Sequence, residues 1–288
     1  MTDDPFVAHR GLLFTVAYEM LGSAADAEDV LQESWLRWAA VDRAEVRDPR
    51  AYLVRVVTRQ ALNALRTLSR RREDYVGEWL PEPLLTSPDV AEDVELAESV
   101  SIAMLTVLET LGPTERAVFV LGEVFALPSG EIAEAIGKSP AAVRQIARRA
   151  RERVAARRPR VAVGRSEQQA VLERFLAALG SGEVLALMEV MAPDVVLVAD
   201  GGGIVPAVLA PIHGAEPVAA LLARANRAGG LETTTVWLNG APAGRLDVGG
   251  ELATVSLVVD DGRVTRVYLV RNPRKLTRLD APTRLVSA

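Results

Sequence analysis

The segment LPSGEIAEAIGKSPAAVRQIARRARERV (127–154) has the pattern of a helix-turn-helix. Gly137 permits a tight turn, and Ser139 can cap a second helix that has Pro140 at its first position. Apolar residues at helical spacing predict a buried stripe on both helices; they are Ile132, Ala133 and Ile136, then Val143, Ile146, Ala147, Ala150 and Val154. The outer face of the second helix predicts a surface that reads the major groove of DNA. Its residues are Ser139, Ala141, Arg144, Gln145, Arg148 and Arg149.

A second basic helix is predicted upstream, in DPRAYLVRVVTRQALNALRTLSRRR (48–72). At about 100° per residue, one arc of about 80° is polar and basic, and apolar residues occupy the opposite side. The polar arc consists of Arg55, Arg59, Asn63, Arg66 and Arg70. Guanidinium groups suit phosphate, and an Asn amide can read a base edge. A solvated basic surface explains this helix equally well when it is considered alone, but the helix-turn-helix downstream favours DNA binding.

Charge is distributed unevenly around these two segments. Residues 47–72 carry eight Arg against Asp48, and residues 138–160 carry Lys138 and eight Arg against Glu152. Residues 73–115, between them, carry eleven acidic side chains and no Lys or Arg. Two basic modules joined by an acidic connector therefore underlie the net charge of −5.

Length and composition exclude several classes of protein. The 288 residues suit two or three domains, and the absence of cysteine excludes disulfides and thiolate metal sites. No apolar run approaches the roughly 18 residues of a membrane span, and the N-terminus lacks a signal-peptide pattern. We therefore expect a cytoplasmic protein without a metal or cofactor.

The chain is predicted to contain four segments. They are a helical domain over 1–74, an acidic linker with several prolines over 75–96, a second helical domain over 97–160, and a C-terminal domain over 165–288. The C-terminal domain reads as two helices over 166–191 followed by strands at 195–200, 231–238, 251–259 and 263–270. Asp261-Gly262 predicts a hairpin turn between the last two strands.

Four segments carry a resemblance to a known family. DAEDVLQESWLRW (26–38) with DPRAYLVRVVTRQALNALR (48–66) resembles domain 2 of extracytoplasmic-function (ECF) RNA polymerase sigma factors, and LGPTERAVFVL (111–121) with the helix-turn-helix resembles their domain 4. The resemblance implies a transcription initiation factor that binds core RNA polymerase and promoter DNA. It assigns the −35 element to the helix-turn-helix and the −10 element, with DNA melting, to the face containing Arg55. Four acidic residues match the polymerase-binding surface: Asp26, Glu28, Asp29 and Glu33.

The linker string YVGEWLPEPL (75–84) and the C-terminal strings DGGGI (200–204) and NPRKL (272–276) resemble the SigJ-like subgroup, which has a C-terminal SnoaL-like domain. The resemblance implies two all-α domains followed by an α+β conical barrel that regulates the sigma domains in cis. No separate anti-sigma protein is then expected. Ile204 and Arg274 depart from the subgroup pattern. We expect the linker to dock on the two strings through Trp79, Leu80, Pro81, Glu82, Pro83, Asp200, Gly201, Gly202, Asn272, Pro273 and Lys275.

Two other functions remain open at this point. The chain could be a helix-turn-helix regulator that does not act through core polymerase, although this leaves residues 26–72 without a role. Alternatively, the SnoaL-like domain could be a DNA-tethered enzyme. Asp200 and His213 are its candidate acid–base residues, but no paired carboxylates or nucleophile–base spacing accompany them, so we predict no enzyme. An apolar pocket in this domain could hold a small molecule.

Overall fold

The computed structural model describes residues 4–91, 93–158 and 163–286, without the side chains of 69–73, 91, 225 and 227–229. The first helical domain contains α1 (Pro5–Leu21), α2 (Ala24–Ala39) and α3 (Pro49–Glu73). Asp4 caps α1 by accepting from the Phe6 amide, and Ser23 caps α2. The three helices pack on one another, and their apolar faces form one end of a large core.

The second helical domain contains five helices and a π-helical turn at Val120–Val124. The helices are α4 (Val94–Ser99), α5 (Ile102–Leu108), α6 (Pro113–Phe119), α7 (Ser129–Ile136) and α8 (Pro140–Arg157). The last two form the helix-turn-helix, with Gly137 in the left-handed conformation (φ 69°) between them. Ser139 caps α8 by accepting from the Ala142 amide, so the turn chemistry is as predicted.

The two helical domains share one hydrophobic core and a buried polar contact. Arg116 of α6 is 1% exposed, donates from Nε to the Glu19 carbonyl of α1 at 3.0 Å, and pairs with Glu109. The Glu19 carboxylate is also fully buried and accepts from the Ser99 hydroxyl at 2.8 Å. Burial raises the pKa of Glu19 to about 8, although Ser99 and Arg116 oppose the shift, and burial lowers the pKa of Arg116 to about 9.

We expect Glu19→Gln to make folding less sensitive to pH. The folded state holds the Glu19 proton, whereas the unfolded carboxyl releases it at ordinary acidic pH, so ionisation favours unfolding increasingly up to about pH 8. Relative to the variant, the wild type should lose about 3 kcal/mol of unfolding free energy between pH 5.5 and 8, at roughly 1.4 kcal/mol per pH unit. Urea denaturation across this range measures the difference. A constant difference at every pH would mean that Glu19 does not titrate there.

The C-terminal domain is a six-stranded sheet with three helices packed on one face. The helices are α9 (Arg165–Ser181), α10 (Val184–Val190) and α11 (Ala215–Gly229). The strands are β1 (Met191–Asp200), β2 (Ile212–His213), β3 (Leu231–Leu238), β4 (Ala241–Val248), β5 (Glu251–Asp260) and β6 (Arg263–Val270). Their order is β2-β1-β6-β5-β4-β3, antiparallel except for β1 with β6. The sequence patterns did not predict α11, β2 or β4.

The two faces of this sheet have different partners. Alternate residues of β1, such as Val195 and Leu197, face the helices in one apolar cluster. Val198 lies in another cluster that includes Leu80 of the linker and Ile102 of α5. The second face therefore packs on the rest of the chain, which fixes the C-terminal domain against both helical domains.

Extended chain makes further connections between the domains. The linker adds to the sheet through a bridge between Leu85 and Leu238. After β6 the chain returns to the first helical domain, where the Val286 amide donates to the Thr15 hydroxyl at 3.0 Å. The Thr283 amide donates to the Leu85 carbonyl at 2.7 Å, so this C-terminal tail also holds the linker.

Candidate DNA and polymerase interfaces and the interdomain junction

The outer face of α8 carries the predicted DNA-reading residues on the surface. Ser139, Ala141, Arg144, Gln145, Arg148 and Arg149 are all exposed. Val143, Ala150 and Val154 are buried on the opposite side, which orients the helix as the sequence predicts. Arg148 forms an exposed pair with Glu152 at 3.3 Å. Such a pair contributes little in solvent, so the guanidinium can exchange it for a phosphate or a base.

The basic face of α3 is only partly open to solvent. Asn63 and Arg66 are exposed, and they lie 3.5 Å apart between side-chain N and O atoms. Arg55, which is partly buried, and Arg59, which is exposed, contact α7 of the helix-turn-helix. Arg55 pairs with the Glu134 carboxylate at 2.9 Å. Arg59 donates to backbone carbonyls at the end of α7, and the side chain of Arg70 lies outside the described residues.

The four acidic residues of α2 differ in their surroundings. Asp29 and Glu33 are exposed, and Glu33 accepts from the Gln60 amide of α3 at 2.7 Å. Asp26 is partly buried in the first turn of the helix. Glu28 pairs with Arg10 at 2.6 Å and lies 3.7 Å from Arg278 of the C-terminal tail.

Asp200 is the centre of the contact between the linker and the C-terminal domain. Its side chain is fully buried and accepts from the Tyr75 hydroxyl at 2.6 Å and the Leu80 amide at 2.9 Å. The Lys275 ammonium lies 2.7 Å from the same carboxylate and also donates to the Leu80 carbonyl at 2.5 Å. Lys275 therefore pairs with the C-terminal domain's own carboxylate and the linker backbone together.

Aromatic rings of the linker enclose the Lys275 ammonium. It lies 3.9 Å from the centroid of Trp79 and 5.1 Å from that of Tyr75, both within the range of a cation–π contact. Burial and the adjacent Asp200 carboxylate raise the pKa of Tyr75, so its hydroxyl stays a donor. The Asn272 amide donates to this hydroxyl at 2.8 Å.

The remaining predicted junction residues divide between the interior and the surface. Pro81, Glu82 and Pro83 are buried, whereas Pro273 is exposed. A side chain on Gly202 (φ 62°) would overlap the Asn272 amide, since an added Cβ would lie 2.2 Å from Nδ2. An added Cβ on Gly201 would lie 2.3 Å from the Val205 carbonyl oxygen. Ile204 and Arg274, which depart from the subgroup pattern, are both exposed and lie outside the buried network.

Glu82 joins the same linker to the first helical domain. Its carboxylate accepts from the Ala24 amide at 2.7 Å and the Ala25 amide at 3.3 Å, at the start of α2. An anion at this position satisfies free amides and complements the helix dipole. Burial raises the pKa of Glu82, although these hydrogen bonds oppose the shift.

Sequence reasoning missed Asn239, which lies in the turn between β3 and β4. The residue is fully buried and has a left-handed backbone (φ 53°). Asn239-Gly240 between two alternating segments is a strong signal for a two-residue hairpin and could have revealed both the turn and β4. Its side-chain contacts could not be found in this way, because they involve residues more than 130 positions away.

The two candidate acid–base residues of the C-terminal domain do not form a site. Asp200 is occupied in the linker contact, and His213 is exposed on β2. The helix-facing side of the sheet is filled by apolar side chains such as Phe175, Leu187 and Val267. The small-molecule pocket that the resemblance implied stays a prediction. Within the described ranges, no helix is both long and apolar enough to cross a membrane.

Comparison with known protein families matches both helical domains. Residues 6–71 match the model of Sigma-70 region 2, and residues 101–154 match that of Sigma-70, region 4. Both models describe regions of sigma-70 factors, and they match in the order region 2 and then region 4. The predicted order of two all-α domains followed by an α+β domain is confirmed.

The whole chain, including the C-terminal domain, aligns with ECF sigma factors. It is 37% identical over 289 residues to the ECF RNA polymerase sigma factor SigJ of Mycobacterium tuberculosis, covering 94% of this chain and 92% of SigJ. It is 31% identical over 286 residues to the probable ECF sigma factor SigI of the same species, covering 95% and 94%. The crystal structure of SigJ superimposes with a TM-score of 0.74 at 32% identity, covering 95% and 97%. The chain belongs to the ECF RNA polymerase sigma factors, and it is a transcription initiation factor rather than an enzyme.

Proposed function

We propose that this sigma factor binds core RNA polymerase through the acidic face of α2, the −35 element through α8 and the −10 element through α3. The exposed basic face of α8 is the observation that carries the proposal. It presents Arg144, Gln145, Arg148 and Arg149 on a helix whose opposite side is buried. This is the arrangement of a recognition helix in the major groove.

The −10 assignment rests on the basic face of α3. Asn63 and Arg66 provide an amide and a guanidinium close together on the surface. DNA melting requires a base to leave the stack and a positive groove to hold the freed strand. We assign the base that leaves the stack to Asn63. The positive groove that holds the freed strand consists of Arg55, Arg59, Arg66 and Arg70.

The polymerase assignment rests on the charge of α2. Between Gly11 and Leu36 the chain has acidic residues but no Lys or Arg, and Asp29 and Glu33 are exposed there. Together with Asp26 and Glu28 they form an acidic surface that complements a basic or amphipathic helix of the polymerase. Since polymerase and promoters are both in the cytoplasm, we place the protein there.

We further propose that the C-terminal domain regulates the two sigma domains in cis. The buried contacts of Asp200 and Lys275 attach the linker to this domain, while Glu82 attaches the same linker to α2. A tethered domain acts at an effective concentration in the millimolar range. A separate anti-sigma protein is therefore unnecessary.

The proposal is tested by run-off transcription from fragmented host genomic DNA with core polymerase and the full-length chain. Discrete new transcripts are expected, and their start sites define the −35 and −10 sequences. Tight DNA binding without any transcript would instead indicate a helix-turn-helix regulator that does not act through polymerase. Comparison with residues 1–160 shows whether the C-terminal domain restrains or supports initiation, provided that the shortened chain melts cooperatively.

On a promoter identified in this way, we expect Arg144→Ala to reduce affinity of the holoenzyme for DNA by about tenfold to a hundredfold. Loss of one base-reading arginine costs about 1–3 kcal/mol and relaxes specificity at one position. Binding to point-mutated −35 sequences measures both effects. Arg157→Ala is the matched control, because it removes the same exposed charge at the far end of α8. An equal loss for both variants, without relaxed specificity, would show that Arg144 contacts only phosphate.

A further inference from the structure

We infer that the β3–β4 turn, through Asn239, fastens the two DNA-binding domains in a closed arrangement in which α7 contacts two arginines of the −10 face. This inference rests on the proposed function and specifies how the C-terminal domain regulates it. The two helical domains, the linker and the C-terminal domain all meet at this turn.

The surface that α7 contacts belongs to α3. Arg59 donates from Nη2 to the Glu134 carbonyl at 2.8 Å and from Nε to the Ala135 carbonyl at 3.2 Å. These carbonyls end α7, where a cation is favoured by the helix dipole. With the Arg55–Glu134 pair, α7 engages two of the five residues assigned to the −10 element. In the closed arrangement both guanidiniums contact α7, so they must exchange these contacts for phosphate before they can hold DNA.

The closed arrangement is incompatible with a bound promoter. The −35 and −10 elements lie about 25 base pairs apart, or about 85 Å at 3.4 Å per base pair. In the structure, atoms of α3 and α7 are within hydrogen-bond distance of each other. The helix-turn-helix cannot reach the −35 element from this position while α3 holds the −10 element. The two domains must therefore separate when the promoter is bound.

Asn239 contacts both of these domains and the linker. Its amide Nδ2 donates to the Tyr18 hydroxyl of α1 at 2.7 Å and to the Val100 carbonyl at the end of α4 at 2.8 Å. Its Oδ1 accepts from the Leu84 amide at 2.9 Å, and its own amide donates to the Leu84 carbonyl at 2.9 Å. One side chain of the C-terminal domain thus links the first helical domain to the second.

The turn is also fitted closely against the second helical domain. An added Cβ on Gly240 would lie 2.8 Å from the Cα of Ala97. The Gly240 amide donates to the Thr86 hydroxyl of the linker at 3.1 Å. This close packing leaves the buried turn no room to move, so separation of the helical domains must break the Asn239 hydrogen bonds. Conversely, loss of these hydrogen bonds favours separation of the domains.

The experiment measures the distance between the two helical domains in the full-length chain. The protein contains no cysteine, so Glu45→Cys and Ala156→Cys, both at exposed positions, accept two spin labels without background. Double electron–electron resonance should give one short distance for the otherwise unchanged chain. Asn239→Gly keeps the left-handed turn and removes the side chain. It should add a longer distance, with an approximately tenfold larger open population, the change produced by about 1.4 kcal/mol.

Two further variants separate the inference from a general loss of structure. Asn226→Ala is the matched control, because that amide donates to the Leu179 and Gly180 carbonyls inside the C-terminal domain, and it should keep the short distance. Tyr18→Phe breaks the same junction from the α1 side and should open the chain while leaving the hairpin intact. If Asn239→Gly and Tyr18→Phe both keep the short distance, or if Asn226→Ala opens the chain equally, the inference is wrong.

Transcription distinguishes this inference from the proposed function. On a promoter that the wild type uses, Asn239→Gly should raise run-off output, because a larger share of the protein has the two helical domains separated, as promoter binding requires. Unchanged or lower output from a folded, open Asn239→Gly chain would overturn the inhibitory role of the turn. Absence of transcripts from the wild type would instead overturn the proposed function. The distance measurements would still test whether Asn239 holds the two helical domains together.

Discussion

Asp200→Ala is expected to lower the free energy of unfolding by about 3–5 kcal/mol, the cost of removing one partner from a buried ion pair. The Lys275 ammonium would remain enclosed by Trp79 and Tyr75 without its counter-charge. The Leu80 amide and the Tyr75 hydroxyl would lose their acceptor as well. Urea denaturation at neutral pH measures the change, and limited proteolysis should show earlier cleavage in residues 75–84.

Asp194→Ala is the matched control for this prediction. It removes a carboxylate from the same strand, β1, at an exposed position. Its effect should stay within about 0.5 kcal/mol, as for most surface substitutions. Equal effects of the two variants would show that the linker contact does not stabilise the chain. A large loss with Asp200→Ala alone would show that it does.

Arg116→Met is expected to cost about 3–5 kcal/mol, and its effect should be centred on the contact between the two helical domains. The substitution leaves Glu109 without the guanidinium and the Glu19 carbonyl without its donor, although the side-chain length is kept. Differential scanning calorimetry should show a lower melting temperature. Hydrogen exchange should show loss of protection in α1 and α6.

The control is Arg153→Met, which changes the same residue type in the same helical domain. Arg153 pairs with Glu115 on the surface and has half of its side chain exposed. Such a pair contributes at most about 1 kcal/mol, so a small effect is expected. If Arg116→Met were as mild as this control, the buried pair would be replaceable by apolar packing, as some buried ion pairs are.

The buried polar contacts of Arg116 and Asn239 contribute both to stability and to regulation. Arg116 and Glu19 join α6 to α1, while Asn239 joins both helical domains to the sheet. Buried polar contacts require specific geometry, so they favour one arrangement of the domains over many similar ones. In an initiation factor whose helical domains have to separate on the promoter, such contacts add to the free energy that separation requires.

The sequence by itself determined the class of protein and most of its local structure. The helix-turn-helix was predictable down to its turn glycine and its cap, because Gly137, Ser139 and Pro140 act through backbone preferences that need no distant partner. The burial of Val143, Ala150 and Val154 followed from helical periodicity. Resemblance of short strings indicated the linker contact. It did not reveal that Lys275 lies against two aromatic rings.

Only the tertiary structure decided which surfaces are available. On a helical wheel, Arg55 and Arg59 are equivalent to Arg66, yet the first two contact α7, whereas Arg66 lies beside Asn63 on the surface. The pattern of α3 defines a polar face, but which element packs on that face depends on contacts about 75 residues away in the chain. Likewise, Asn239 reads as a turn residue, and only folding brings Tyr18, Leu84 and Val100 around it. Local preferences depend on neighbours in sequence, whereas these contacts depend on how three domains pack together.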